Sequence, residues 1–175
     1  MTCVIICALA GLAAHTAVGE DEQPEEKTSE AKLRVGIFDS RALAIAYGQS
    51  KVTQDKFKEL GAEKQEAKNA GDQKLAGEVQ SRIEALRASF YKQAHSIGPI
   101  ANILEIIKDK IPGIAEEAKV DVIIRKWDIV YQRPDIEFVD VTDLMVKPFN
   151  PKDSTKVSIK SILANEPVPL NALKK

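Results

Sequence analysis

Residues 49–119 read QSKVTQDKFKELGAEKQEAKNAGDQKLAGEVQSRIEALRASFYKQAHSIGPIANILEIIKDKIPGIAEEAK, and the reading of this run decides the fold. Its first half is rich in charged helix formers. Val52, Phe57, Leu60 and Ala67 make a thin apolar stripe, and Lys/Glu pairs recur at short helical spacings. That pattern describes one arm of an antiparallel coiled coil rather than a core helix. Gly61 inside it costs about 1 kcal/mol of helix stability relative to alanine. Asn69-Ala70-Gly71-Asp72 then supplies a C-cap glycine followed by an N-cap aspartate, which predicts a turn between two helices.

The second half has a better register. Val79, Ile83, Leu86, Phe90, Ala94, Ile97, Ala101, Leu104, Ile107, Ile111 and Ile114 step by three or four, close to a heptad seam. The seam thickens in Ile and Leu toward Ile114, so the arm is expected to be solvated at its tip and buried at its base. Pro99 removes a backbone donor and predicts a kink or interruption. The arm is therefore set at about 49–119, but only the part up to about Phe90 is polar enough to project; 97–114 belongs with the base. Pro112-Gly113 begins a new last turn.

β-branched runs flank the arm. Leu33-Arg34-Val35-Gly36-Ile37-Phe38-Asp39 alternates as a strand does, and Asp39 or Ser40 can cap the helix beyond it. Gly48 marks a break before the arm. Val120-Asp121-Val122-Ile123-Ile124 reads as the best-buried strand. After a turn at Lys126-Trp127-Asp128, Ile129-Val130-Tyr131 reads as another, and Phe138-Val139-Asp140-Val141 is short and extended. Thr142-Asp143 opens a last helix to about Lys147, stopped by Pro148 and Pro151. The expected architecture is α+β: a small β-body of short strands, from 33–39 and 120–147, with a long protruding antiparallel helical hairpin. This domain spans 32–150. Residues 151–175 hold one amphipathic scrap and the prolines Pro167 and Pro169, and read as a flexible C-terminal extension.

Composition agrees with long solvated helices. Of 175 residues 29% are charged and only 5% aromatic, which leans away from a catalytic α/β domain. The net charge of −1 hides an asymmetry: residues 20–30 carry six acids against Lys27, leaving +4 for residue 31 onward. That weak positive balance fits contact with acidic clients or a membrane surface and is too small to argue for nucleic acid. Residues 20–31 are too polar to pack and read as an acidic disordered linker.

Residues 1–19 read as a signal peptide. The apolar run from Val4 to Ala14 is too short to span a bilayer, and Ala17-Val18-Gly19 places a cut before Glu20. Export leaves no thiol, because Cys3 and Cys7 are the only cysteines.

No motif for nucleophilic catalysis, phosphate binding or dinucleotide binding is present, so no catalytic, cofactor or metal residues are expected. Asp39, Asp121, Asp128, Asp135, Glu137, Asp140 and Asp143 cluster near the base, where strand ends and caps favour aspartate for backbone reasons. Outside the signal segment His95 is the sole histidine and reads as a surface residue. Trp127 and Tyr131 read as body packing or a subunit interface.

The order of these elements resembles the Skp/OmpH family of periplasmic chaperones for outer-membrane proteins. Residues 33–39 are similar to the family's opening strand. Pro99-Ile100 with Ile103, Ile107 and Ile114 is similar to its returning apolar helix. Val120-Asp121-Val122-Ile123-Ile124 and Asp128-Ile129-Val130-Tyr131 are similar to its later strands, and Val139-Asp140-Val141-Thr142-Asp143 to its closing run. The resemblance covers about 33–150. It implies a homotrimer with a joint β-body, built here on Val35, Ile37, Val122, Ile124, Val130 and Tyr131. It also implies a periplasmic, ATP-independent holdase that takes unfolded outer-membrane proteins between its arms. Phe57, Leu60, Leu75 and Val79 are the candidate client contacts, spaced for weak, dispersed grip, with avidity from several copies. The alternative is an envelope structural or adaptor coiled coil that holds no client.

Overall fold

The structure, a computed structural model, describes residues 32–168. The expected signal peptide, the acidic linker and the last residues of the extension lie outside the described residues. The fold is α+β and mostly helical, with a small three-stranded parallel sheet and long helices.

The sheet centres on β1 (Arg34–Phe38). It pairs in parallel with β2 (Val122–Arg125) on one side, Val35 opposite Val122 through Phe38 opposite Arg125. On the other side it pairs in parallel with β3 (Glu137–Asp140), Arg34 opposite Glu137 through Ile37 opposite Asp140. Parallel pairing demands a crossover, and the β1–β2 crossover is the whole helical run between them. Gly36 is where the flanks close in. A Cβ there would lie 3.1–3.3 Å from side-chain atoms of Val120, Ile123 and Val141, so only glycine fits without displacing them.

The first helix, α1 (Ser40–Gly48), starts at once because Asp39 is its N-cap and accepts from the Arg41 N–H. Its alanines Ala42, Ala44 and Ala46 are buried beside Leu43, which lets neighbouring helices approach closely. Ser50 caps α2 (Lys51–Asn69). Gly71, at φ 74°, ends α2, and Asp72 caps α3 (Gln73–Ala94) by accepting from Leu75 N–H at 2.8 Å.

The helical run ends earlier than expected for the arm. Beyond Ala94 the chain turns through Ser96, at φ 58°, and Pro99, and Gln93 spans the break by donating to the Pro99 carbonyl (2.8 Å) and to Asn102 Oδ1 (2.7 Å). The next two helices, α4 (Ala101–Ile107) and α5 (Ile111–Ala118, with Pro112 in its first turn), pack into the body through Ile103, Ile107 and Ile114. Residues 97–118 thus lie with the main core.

Two buried clusters result. The main one joins β1, α1, α4, α5 and α6 (Thr142–Val146), with Phe38, Leu43, Ile103 and Met145 at its centre. The second is small and separate: Leu60 of α2 with Val79 and Ile83 of α3, edged by Phe57 and Leu86.

Three expectations are corrected. The best-buried strand is the central β1 and not β2, an edge strand on which Val122 is 46% exposed. Ile129-Val130-Tyr131 is not a strand, and Val130 and Tyr131 are 99% and 80% exposed. Both sides of β1 are already taken by β2 and β3. A single 3₁₀ turn over Lys126–Asp128, closed by an Arg125–Asp128 ion pair at 2.5 Å, carries the chain off the sheet. The region after residue 150 is not wholly a loose extension either. Asp153–Leu163 forms α7, which packs on α1 and adds Ile159 to the main core. Thr155 and Ile159 recur four apart on the buried face, and Thr155 donates to Gln49 Oε1 at 2.8 Å.

Gly61 in α2 and Gly77 in α3 have helical backbones, and a Cβ on either meets nothing within 4 Å. Gly61→Ala and Gly77→Ala should each stabilise the helix pair by about 0.5–1 kcal/mol through backbone entropy. Thermal unfolding followed at 222 nm checks this: a raised midpoint is expected for each variant and a larger rise for the pair.

Candidate functional site

An open groove runs along α2 and α3 next to α1, with a volume of ≈ 780 Å³. Its floor is apolar: Tyr47, Val52, Leu60 and Leu86. Its rim has two acids, Asp55 and Glu59, and two bases, Lys56 and Arg82. The helical register makes this arrangement. Val52 and Leu60 lie near one stripe of α2, while Asp55 and Glu59 sit four apart beside it. Lys56 pairs with Glu59 at 3.1 Å, Arg82 crosses to Glu63 at 2.7 Å, and Lys51 pairs with Asp55. The Asp55 carboxyl is held below its ordinary value first by the Lys51 hydrogen bond, with lesser help from the Lys51 and Lys58 charges. The rim therefore stays charged but balanced. Such a site offers apolar contact and no fixed directional demand. Tyr47 anchors its inner end, packed between Phe90 (centroids 5.4 Å apart) and Phe149 (5.8 Å).

The four candidate client contacts divide. Leu75 is 37% exposed beside the turn, and Phe57 is half-buried against Phe90 at 6.0 Å. Leu60 and Val79 are buried, at 2% and 0%, because they form the seam that holds α2 to α3. Leu60 shows only an edge to the groove, and Val79 cannot touch a client while the pair is closed. Sequence reading passes over Tyr47, Val52, Leu86 and Tyr91 as contacts. Val52 and Tyr91 are 54% and 52% exposed. Val52 is legible in the α2 stripe; nothing in the sequence sets Tyr91 apart.

Of the residues assigned to a joint body, Val35 is buried and Ile37 and Ile124 are half-buried within the sheet. Val122 is 46% exposed on an edge strand, and Val130 and Tyr131 stand in solvent.

Most of the basal carboxylates are engaged in backbone and ion-pair duties, whereas Asp143 lines a groove between α6 and Asp153–Leu163. Asp121 accepts from Arg34 N–H at 2.9 Å, and Glu137 pairs with the Arg34 guanidinium at 2.9 Å. Asp140 accepts from Thr142 N–H at 2.8 Å, and Asp135 pairs with Arg133 at 2.7 Å. Among the described residues no three His, Cys, Asp or Glu side chains gather as metal ligands. His95 donates from Nδ1 to the Tyr91 carbonyl at 2.7 Å and stacks on that ring at 4.3 Å.

The most buried ion pair among the described residues is Asp39 with Arg41. Arg41 Nη2 donates to Asp39 Oδ2 at 2.6 Å and to the Asn165 carbonyl at 2.8 Å, and both charged side chains are 2% exposed. Thr142 Oγ1 accepts from the Asp39 N–H at 3.0 Å. Trp127 covers the guanidinium at 5.1 Å. Burial pushes the Asp39 carboxyl up, but the Arg41 hydrogen bonds and charge outweigh it and hold the group below its ordinary range. The buried Trp127 indole N–H, without a hydrogen bond of ordinary geometry, adds only a weak favourable dipole. This cluster joins the carboxyl ends of all three strands to the end of α7, and its carboxylate is too enclosed to reach a substrate. Comparison of the chain with protein-family models, with curated proteins and with solved structures gives no match.

Proposed function

We propose that this chain is an ATP-independent holdase of the Skp/OmpH kind, exported to the periplasm, where three copies grip unfolded outer-membrane proteins between helical arms. The observation that carries the reading is the separateness of α2 and α3. They share their own small cluster, and their principal packing outside each other is on α1 alone. Arg82 meets Glu63 while Gln80 meets Lys64, so rising positions on one helix face falling positions on the other, which supports an antiparallel coiled-coil arm. At 19 and 22 residues the helices are about 30 Å long. The client-facing surface is the apolar floor of the groove with Leu75 nearer the tip; Leu60 and Val79 keep the arm closed. A balanced rim and a shallow apolar floor suit a client with no fixed sequence, and several copies raise weak contacts to useful avidity. The exposed Val122, Val130 and Tyr131, on and after an edge strand paired on one side only, are where a joint body would close.

Light scattering tests the reading. A urea-denatured β-barrel protein is diluted into buffer with the chain from Glu20 onward and no nucleotide. Scattering should be suppressed near stoichiometric ratio, and Val52→Glu with Leu75→Glu, both at exposed positions, should weaken suppression several-fold while helicity is unchanged. Scattering unaffected by the protein overturns the holdase reading and leaves the adaptor.

A further inference from the structure

The positive charge of the folded part is not spread over it. Residues 32–142 hold 18 bases and 17 acids, whereas 143–163 hold Lys147, Lys152, Lys156 and Lys160 against Asp143 and Asp153, a net of +2. Lys152, Lys156 and Lys160 recur every fourth residue, so they form one ridge along α7. That ridge borders a groove of ≈ 670 Å³ between α6 and α7. Leu144, Val146, Ile159 and Leu163 form its floor; Lys147 stands on one bank and Lys156 and Lys160 on the other. Three local acids offset part of this, and of them only Asp143 lines the groove itself. Asp153 pairs with Lys156 at 3.0 Å from a fully solvated position, and Glu117 comes only to 4.0 Å from Lys147. The banks are set in place before any ligand arrives, because Thr155 bonds Gln49 and the Asn165 carbonyl accepts from Arg41.

We propose that this groove binds an acidic amphipathic helix of a partner protein, with aliphatic side chains seated on Ile159 and Leu163 and carboxylates on Lys147, Lys156 and Lys160. Charge complementarity selects the sign of the occupant, and concavity selects its shape. Ile159 and Val146 are each 5% exposed at the bottom, out of reach of a flat lipid surface but open to a protruding side chain. A helix laid in a groove meets both demands. Residues 169–175, with Lys174, Lys175 and no acid, have the wrong charge to fill it. The proposal is independent of the holdase reading, which rests on α2 and α3.

Fluorescence anisotropy with the chain from Glu20 onward tests it. The probe is a labelled Leu/Glu amphipathic helical peptide of about 14 residues, long enough at about 21 Å for four turns. Comparison probes are its Glu→Gln counterpart and phosphatidylglycerol vesicles. The Leu/Glu peptide should bind and weaken as salt rises. The triple variant Lys147→Gln, Lys156→Gln, Lys160→Gln should bind it about tenfold more weakly, and Leu163→Ser should also lose affinity. A triple variant with the same charge change elsewhere, Lys58→Gln, Lys74→Gln, Lys92→Gln, should bind as the parent does. Equal loss in both triple variants, equal binding of the Glu→Gln peptide, or binding of vesicles without the peptide overturns the proposal.

Discussion

Arg41→Met is expected to destabilise the body by about 3–5 kcal/mol, because it leaves the Asp39 carboxylate buried without its partner. Methionine keeps most of the side-chain volume, so the loss comes from charge and not from a cavity. It also frees the Asn165 carbonyl and uncovers one face of Trp127. The pH dependence separates this from a packing defect. In the parent the Asp39 pKa lies below its ordinary value of 3.8, so the ionised group contributes stability above about pH 4 that is lost as the pH falls through the lowered pKa. Without the Arg41 guanidinium, burial, the largest influence on the carboxyl, is opposed only by the backbone N–H of residue 41 and the Trp127 indole, and the pKa rises. The sign then reverses: the variant should gain stability as the pH drops from 7 toward 4, where the parent holds level or begins to lose it. Adding Asp39→Asn should restore part of the loss at neutral pH, since a neutral side chain still caps α1. Urea unfolding at pH 7 and pH 4.5, followed by the emission of Trp127, reads all three outcomes. Equal destabilisation of Arg41→Met at both pH values would refute the charge argument.

Val79→Asp is expected to open the α2–α3 pair at a cost of about 3–5 kcal/mol to that pair. Val79 is fully buried in a cluster whose only other buried members are Leu60 and Ile83. A carboxylate there is buried among apolar side chains, and three residues cannot rebuild a seam around it. The main core shares none of these residues, so the damage should stay local. Helical circular dichroism should fall and proteolysis should cut within 51–94, while the emission of Trp127, the single tryptophan, stays at the parent wavelength. Unfolding of both parts together would show that the arm and body are one cooperative unit.

Local signals in the sequence carry most of the fold. Asp39, Gly71 and Asp72 stand at helix ends where a short acceptor or a positive φ is needed, and such demands are read from a few residues. The body placement of Ile107 and Ile114 comes from the density of the apolar seam, which runs through Leu104 where the structure buries Ile103. The failures concern competition and exposure. Ile129-Val130-Tyr131 has strand composition, but whether a place beside β1 is free depends on Glu137–Asp140, which pairs from afar. Asp153–Leu163 has only a thin apolar face, and its docking depends on Gln49 and Arg41, over a hundred residues away in the chain. Leu60 and Val79 look available to clients because they are apolar residues on charged helices, until the partner helix is in place to cover them. The Asp39–Arg41–Asn165 cluster leaves no sequence signal beyond an ordinary cap.

The most direct test of the holdase reading is the mass, by native mass spectrometry, of the chain from Glu20 onward with and without an unfolded β-barrel client. The predicted result is three copies alone and a single added client on the three-copy assembly, retained without nucleotide. A monomer that stays a monomer, with no client-bound species, would contradict it, because one helical arm encloses nothing.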